Sequence, residues 1–315
     1  MTRGRFRFIT PIAALAVVLC ITVYSGSLSG QGQDVRHMVQ IAPDVYTFTG
    51  GGSNSSFVVT PEGVLVFDAD IRNDDLPAIR KVTDKRIVYL LSSHASGDHS
   101  TGAWYFRADH PLFIATRNQV NSFPVEQKLF NASKEKGVAV YKDAEILPPT
   151  MGFDDILSIH FGGLTFIARA EGYGHTNGDL TVYIPQRRVM FMGDLLNNDI
   201  HPGQAEAAGV FFAQVQSWMD VLNKVIGRNL PVQTYVPGHG PPHVGRGAAD
   251  LEEQRDYFIV MRAEVAKMIE AGRTLEQIQK EFKVPARFAN YQSPNRLTPF
   301  LRLYYNQLIE AGTVN

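Results

Sequence analysis

His94, Asp98 and His99 stand close together in Leu91-Ser92-Ser93-His94-Ala95-Ser96-Gly97-Asp98-His99. Imidazoles and carboxylates are the side chains that hold zinc and related metals where no thiolate is at hand. Three further stretches carry the same residue types: Gly174-His175-Thr176-Asn177-Gly178-Asp179, Gly193-Asp194 and Pro237-Gly238-His239-Gly240. A divalent metal held by such groups lowers the pKa of bound water to about 7 and supplies hydroxide at neutral pH. Taken singly, each stretch also reads as a solvated polar loop with an incidental histidine. Four in one chain, each beside an apolar run, argue for one shared site.

Those apolar runs are the elements that must do the positioning. Val88 to Leu91 reads as a buried strand, too short for a helix, and it delivers His94. Leu180 to Ile184 and Val189 to Met192 form a strand pair around Pro185-Gln186-Arg187-Arg188, flanked by the His175 turn and by Asp194. Gln233 to Val236 is a strand ending at His239. Strands are further expected at 39–41, 45–48, 57–60, 64–67, 112–115, 156–161 and 164–168, several of them as hairpins around glycine-containing turns. Helices are expected at 74–83, 102–108, 212–226, 248–271, 275–282 and 297–311, with 119–136 helical in part. Thr274-Leu275-Glu276-Gln277 has the form of a capping box. Trp104, Tyr105 and Phe106 suit packing, and His160 reads as a structural strand residue. Asp68 reads as a turn residue closing the 64–67 strand. The order of elements gives two similar halves and a mixed α/β class.

The stretch from His94 to His99 resembles the H-x-H-x-D-H signature of the metallo-β-lactamase superfamily, with Ser96 where the signature has its second histidine. His175, Asp194 and His239 match the later elements of the same pattern, in order, across most of residues 40–240. The resemblance implies a four-layered αββα sandwich over 35–245, followed by a C-terminal helical extension over 246–315. It implies one or two zinc ions. Asp98, His99, His239 and Asp194 would complete one site; His94, His175 and Asp194 would form the other, short of one imidazole at Ser96. Three protein ligands plus water suffice for a catalytic zinc. The family also implies that Asp98 orients the attacking hydroxide, and that an acid at the position of Asp68 supports the metal loop from behind. His201 and Asn177 are candidate pocket residues, and His201 is also a candidate substitute for the missing imidazole. His243 reads as a surface residue.

The chain has 315 residues, 44% of them hydrophobic, enough for a sizeable core and one or two domains. Arg3, Arg5 and Arg7 precede an apolar run from Ile12 to Val23, and small residues follow at 25–30. That pattern is a secretory signal over residues 1–29, with an uncleaved anchor as the alternative. Export places the protein in the periplasm or outside the cell, without a stable membrane span once the signal is gone. The one cysteine, Cys20, lies within the signal, so neither disulfides nor thiolate ligands are expected in the remainder. Lysines and arginines number 30 against 31 acids, and no basic patch stands out, which excludes nucleic acid as a partner.

The function that follows is hydrolysis of a small-molecule amide, ester, lactone or thioester, a β-lactam included. Two alternatives use the same residues. One is a binding protein of the same fold, weakly active because Ser96 leaves a site incomplete. The other is redox chemistry on iron, which the ligand set also suits. Phe288, Tyr291, Tyr304 and Tyr305 are expected to pack in the helical extension, or to wall the substrate pocket.

Overall fold

The computed structural model describes residues 35–204, 206–207, 210–211 and 213–312. The expected signal over 1–29 lies outside the described residues. In chain order the strands and helices are β1 (His37–Ala42), β2 (Val45–Thr49), β3 (Ser55–Thr60), β4 (Gly63–Phe67), α1 (Leu76–Val82), β5 (Ile87–Leu91), α2 (Gly97–Ser100), β6 (Leu112–Thr116), α3 (Arg117–Glu135), β7 (Met151–Phe153), β8 (Ile156–Phe161), β9 (Leu164–Gly172), β10 (Asp179–Ile184), β11 (Val189–Asn197), β12 (Glu206–Ala207), β13 (Val210–Phe211), α4 (Val215–Gly227), β14 (Thr234–His239), α5 (Ala249–Glu270), α6 (Leu275–Glu281) and α7 (Leu297–Glu310). Among the described residues no helix is long and apolar enough to cross a membrane.

Strands β1 to β7 form one sheet in sequence order; β14-β11-β10-β9-β8 form a second. Each sheet changes from antiparallel to parallel pairing as it proceeds: β4 to β7 are parallel, and β11 pairs β14 in parallel. Parallel neighbours need a crossover, and α1 and α4 supply two of them. The strand pairing bears out the two-halves reading.

The sheets pack face to face. Val58, Leu65, Phe67 and Leu91 of the first meet Phe166, Leu180, Val182 and Phe191 of the second. Phe67 and Phe191 stack across the layer with centroids 5.2 Å apart. Burying such side chains is worth roughly 1.5–3 kcal/mol each, and this layer holds the two halves together. The outer face of the first sheet buries Phe57, Val64 and Leu90 against Ile79, Phe106 and Phe123. The outer face of the second buries Met190, Met192 and Tyr235 under α4, α5 and α7. The result is the expected αββα sandwich.

Local outcomes follow local chemistry. The short helix expected at 102–108 is present, in the tighter 3₁₀ form, over Thr101–Asp109. Phe106 is core, as expected, while Trp104 stacks with the Arg107 guanidinium 3.6 Å from its ring centre. Helix α3 begins at Arg117 and runs unbroken, with Pro124 inside it; Thr116 caps it by accepting from the Gln119 N–H. The capping box at Thr274 and Gln277 is present. His160 lies on an exposed face of β8, 3.2 Å from Thr165 Oγ1.

The helical extension is welded to the second sheet. Trp218, Phe258, Phe288, Phe300 and Tyr304 are fully buried, and Tyr257 and Tyr291 lie parallel at 5.6 Å. The aromatics of the extension are core. A polar network adds to this. His243 is half-buried and not a surface residue: its Nδ1 is 2.9 Å from Asp250 and its Nε2 3.0 Å from Asp199. Arg246 also reaches Asp250, and Tyr291 donates to Glu253.

The hydrogen bond that His243 donates to Asp250 outweighs burial and raises the His243 pKa. A histidine whose folded pKa is raised stabilises the fold fully below its unfolded value of about 6.5, and loses that contribution as pH rises through the folded value. His243→Gln is therefore expected to destabilise the protein more at pH 5.5 than at pH 9. The difference should be on the order of 1 kcal/mol, reduced from a buried charged pair by solvent screening. Urea unfolding of both proteins at both pH values checks this; an equal cost at the two would contradict it.

Candidate metal centre

The metal loop begins at the end of β5. The Ser93 N–H donates to Asp68 Oδ1 at 2.6 Å, and Asp68 Oδ2 lies 2.9 Å from His99 Nδ1. Asp68 sits in the left-handed region at φ 62°, a conformation in which aspartate is among the better-tolerated residues. Asp68 is thus no mere turn residue. It ties the loop to β4 and sets the tautomer of His99, because an N–H held at Nδ1 leaves Nε2 to face a metal.

Helix α2 is a single turn. The Ser96 carbonyl accepts the N–H groups of His99 and Ser100, so Gly97 to Ser100 coil tightly. Successive side chains on a helix point about 100° apart, which sends His99 inward while Asp98 stays at the rim. Asp98 is fixed from two sides. Ser96 Oγ donates to its Oδ1 at 2.7 Å, and Arg72, itself paired with Asp70, approaches its Oδ2 at 3.6 Å. Ser96 is engaged, then, not idle.

The other candidates arrive from the second sheet. Asp179 shapes the His175 turn by accepting from the N–H groups of Gly174 and Thr176 and from the Thr176 hydroxyl. Burial pushes the Asp179 carboxyl up to about 7 despite those bonds. Gln119 staples this turn to the metal loop: its amide donates to the carbonyls of Ser92, Ser93 and Gly178. Trp218 backs the His175 ring at 5.3 Å. Asp194 lies within β11, just past Gly193, and His239 at the end of its parallel neighbour β14. The approach there is so close that a Cβ on Gly238 would fall 2.1 Å from Asp194 Oδ1. Asn54 holds the β14 end, donating to the Pro237 and Gly240 carbonyls.

All six ligand-type side chains come together. His99 Nε2 is 3.1 Å from Asp194 Oδ1 and 3.4 Å from His239 Nε2. His239 Nε2 lies 3.3 Å from Asp194 Oδ2 and 3.4 Å from Asp98 Oδ2; His175 Nε2 lies 3.5 Å from Asp194 Oδ2. The tightest groupings are His94–His99–Asp194 and Asp98–His99–His239, which share His99. His94 Nδ1 meets Ser93 Oγ at 2.9 Å, while His94 Nε2 is buried without a hydrogen-bond partner. An orphaned buried acceptor of this kind is costly unless something else occupies it. A cation among these atoms would satisfy it.

The charges are arranged to the same end. Burial, reinforced by neighbouring imidazoles, holds His94 well below the usual histidine range; burial takes His175 down to about 4. Both are neutral ligands at pH 7. Burial opposes charge on His99, but Asp194, Asp98 and Asp68 together hold it well above the usual range. Burial likewise opposes the Asp98 and Asp194 carboxylates, and the facing histidines outweigh it and hold both well below theirs. Metal binding must then displace a proton from His99. His239 Nδ1 has two neighbours at 3.3 Å, the Gly52 carbonyl and Arg296 Nη2. A bond to the carbonyl leaves Nε2 unprotonated and able to ligate.

Residues 48–239 match the family model of the metallo-beta-lactamase superfamily, and that span holds all six side chains. The chain belongs to the metallo-β-lactamase superfamily. Among curated proteins it is similar to a linear primary-alkylsulfatase from a Pseudomonas species, 22% identical over 288 residues, covering 79% of this chain and 52% of that one. It is also similar to a type 2 metallo-β-lactamase of Bacteroides fragilis, 26% identical over 217 residues, covering 64% of this chain and 78% of that one. Among solved structures it shares its fold with a stereoselective inverting sec-alkylsulfatase from Pseudomonas sp. (TM-score 0.66, 16% identity, 86% of this chain and 50% of that one). A metallo-β-lactamase from Pontibacter korlensis aligns with a TM-score of 0.54 at 18% identity, covering 71% of this chain and 99% of that one. The chain thus spans about half the length of the alkylsulfatases it matches. These superfamily relatives are hydrolases.

The remaining sequence candidates divide. Asn177 is exposed at the edge of a cavity beside the centre. His201 neither replaces the missing imidazole nor lies on a surface loop: it is buried, with Nδ1 2.7 Å from the Tyr257 hydroxyl. Asp68 supports the metal loop, the role the resemblance implies for an acid there. Gln119, Asn54 and Trp218 also support the centre and carry no motif that marks them; the Gly-Gly-Gly-Ser-Asn run that ends at Asn54 is too common to point anywhere.

Proposed function

We propose that the protein is an exported, zinc-dependent hydrolase acting on a carbonyl of a small-molecule amide, ester, lactone or thioester. Residues 35–245 form the catalytic unit, 246–315 the helical extension, and 1–29 are removed on export. The observation that carries the reading is the convergence of His94, Asp98, His99, His175, Asp194 and His239 around a buried ring nitrogen, His94 Nε2, that has no hydrogen-bond partner. One or two zinc ions held by these six residues would supply a Lewis acid and a hydroxide source at neutral pH. Asp194, within reach of His99, His175 and His239, supplies a negative charge at the middle of the cluster. Asp98 works at the rim. With Oδ1 held by Ser96, its Oδ2 is the oxygen that orients the nucleophile, takes its proton and passes it to the leaving group.

A second reading has its own support. The alkylsulfatases align over more of this chain than the β-lactamases do, reaching into the helical extension. A sulfate ester would then replace the carbonyl substrate at the same centre.

The test is the zinc content of the purified protein, paired with turnover of lactams, lactones, thioesters, aryl esters and primary and secondary alkyl sulfates. Stoichiometric zinc with turnover of a carbonyl substrate is the expected result. Turnover confined to alkyl sulfates favours the second reading. Zinc without turnover of any compound would leave a binding protein.

A further inference from the structure

A cavity of about 310 Å³ opens beside the metal centre, within the size range of small-molecule sites. Its inner wall consists of Ser96 and Gly97 of the metal loop together with the Asn177-Gly178 turn next to His175. The outer wall is the face of α3, with Val125, Glu126, Leu129 and Phe130, closed by Tyr141. Ser96 matters here: a serine in place of the family's imidazole leaves the space above the loop open to the cavity.

Charge in this cavity is one-sided. Among the described residues, none of those lining it is a lysine, arginine or histidine, and Glu126 is the one acid. Its Oε2 stands 3.7 Å from where a Cβ on Gly97 would be, which places the carboxyl over the metal loop. Arg72, whose charge reaches Tyr141 at the cavity's edge, is already paired with Asp70 and faces Asp98. The rings of Phe130 and Tyr141 meet edge to face at 5.0 Å beside Glu126. A carboxylate next to aromatic faces, with apolar Val125 and Leu129 along the approach, is the composition that receives an organic cation on an aliphatic stem.

We propose that this cavity binds an organic ammonium group, held by Glu126 and the Phe130–Tyr141 pair, with the attached chain leading to the metal centre. The site would select substrates that carry an amine away from the scissile bond and discriminate against those carrying an anion there. Burial pushes the empty Glu126 carboxyl up to about 8, and an ammonium partner would restore its charge. The claim that the ligand is a substrate rests on the hydrolase reading; the binding itself does not.

The experiment uses zinc-loaded protein at pH 8 and two probes of equal shape, n-hexylammonium and 1-hexanol, with binding followed by NMR chemical-shift titration. The ammonium is expected to bind at least about fivefold tighter than the alcohol, the scale of one part-buried ion pair with an aromatic neighbour. Glu126→Gln, which keeps the shape, should erase the preference while leaving hexanol affinity unchanged. Equal affinities in the wild type, or a preference that survives Glu126→Gln, would overturn the proposal. A preference seen in a protein that hydrolyses nothing would sustain the site and count against the hydrolase reading alone.

Discussion

Asp194→Ala is expected to cost the protein its metal and nearly all of its turnover together. Asp194 is the one carboxylate that reaches His99, His175 and His239 at once, with separations of 3.1 to 3.5 Å. Its removal leaves three imidazoles facing one another in a buried space without their central counter-charge. Lewis-acid stabilisation is worth several kcal/mol, so loss of the metal should lower kcat/KM by about 10³-fold or more. No rearrangement offers a replacement, because Gly238 packs directly on the carboxylate and Asp98 is held at the rim. His175→Ala should be milder, since His175 reaches one carboxylate of the cluster, Asp194 at 3.5 Å, and otherwise meets the His94 ring edge-on at 4.7 Å. Metal analysis and kinetics on both variants, with circular dichroism to confirm folding, check the ordering. Full zinc retention in Asp194→Ala would sink the shared-carboxylate account.

The legible part of this protein is the part with period and spacing. Strands such as Val64–Phe67 and Val189–Met192 are apolar runs of strand length, and their ends deliver the candidate ligands in the family's order. The helical extension is legible in its helix-length segments and in the capping box at Thr274. What stayed hidden acts across long sequence separations. Asn54 lies 183 residues from the Pro237 carbonyl it holds, and Gln119 lies 59 residues from the Gly178 carbonyl it holds. An asparagine after glycines and a glutamine on a helix are common, so their types carry no signal. His243 misled for the same reason: its partners Asp199 and Asp250 come from two separate elements. The helix at Thr101–Asp109 is legible as a helix, while its 3₁₀ form is not: Gly102 packs on the Ala69 backbone, a tertiary contact that propensity does not see.

Ser96 is where sequence and geometry lead to different expectations. By residue type it is a gap in one metal site, and Ser96→His should fill it and speed hydrolysis. In the structure its hydroxyl donates to Asp98 Oδ1 at 2.7 Å, so any substitution also frees the group assigned to orient the nucleophile. A hydrogen bond to a charged acceptor is worth about 1.5–3 kcal/mol, or roughly 10- to 100-fold in rate if all of it is used for orientation. Asp98 is part-exposed and also faces Arg72, which places the expected effect near the lower end. Ser96→Ala should therefore reduce kcat by about tenfold with zinc content unchanged, the mark of lost positioning and not of lost metal. Ser96→His should raise zinc content, since an added imidazole beside His94 completes a ligand set. It should not raise kcat, because the same substitution removes the donor to Asp98 and fills the mouth of the Glu126 cavity. Side-by-side zinc stoichiometry and kcat for the wild type and both variants separate the two roles. If Ser96→Ala turns over at the wild-type rate, the hydroxyl does not position Asp98; if Ser96→His gains zinc and rate together, Ser96 is simply a missing ligand.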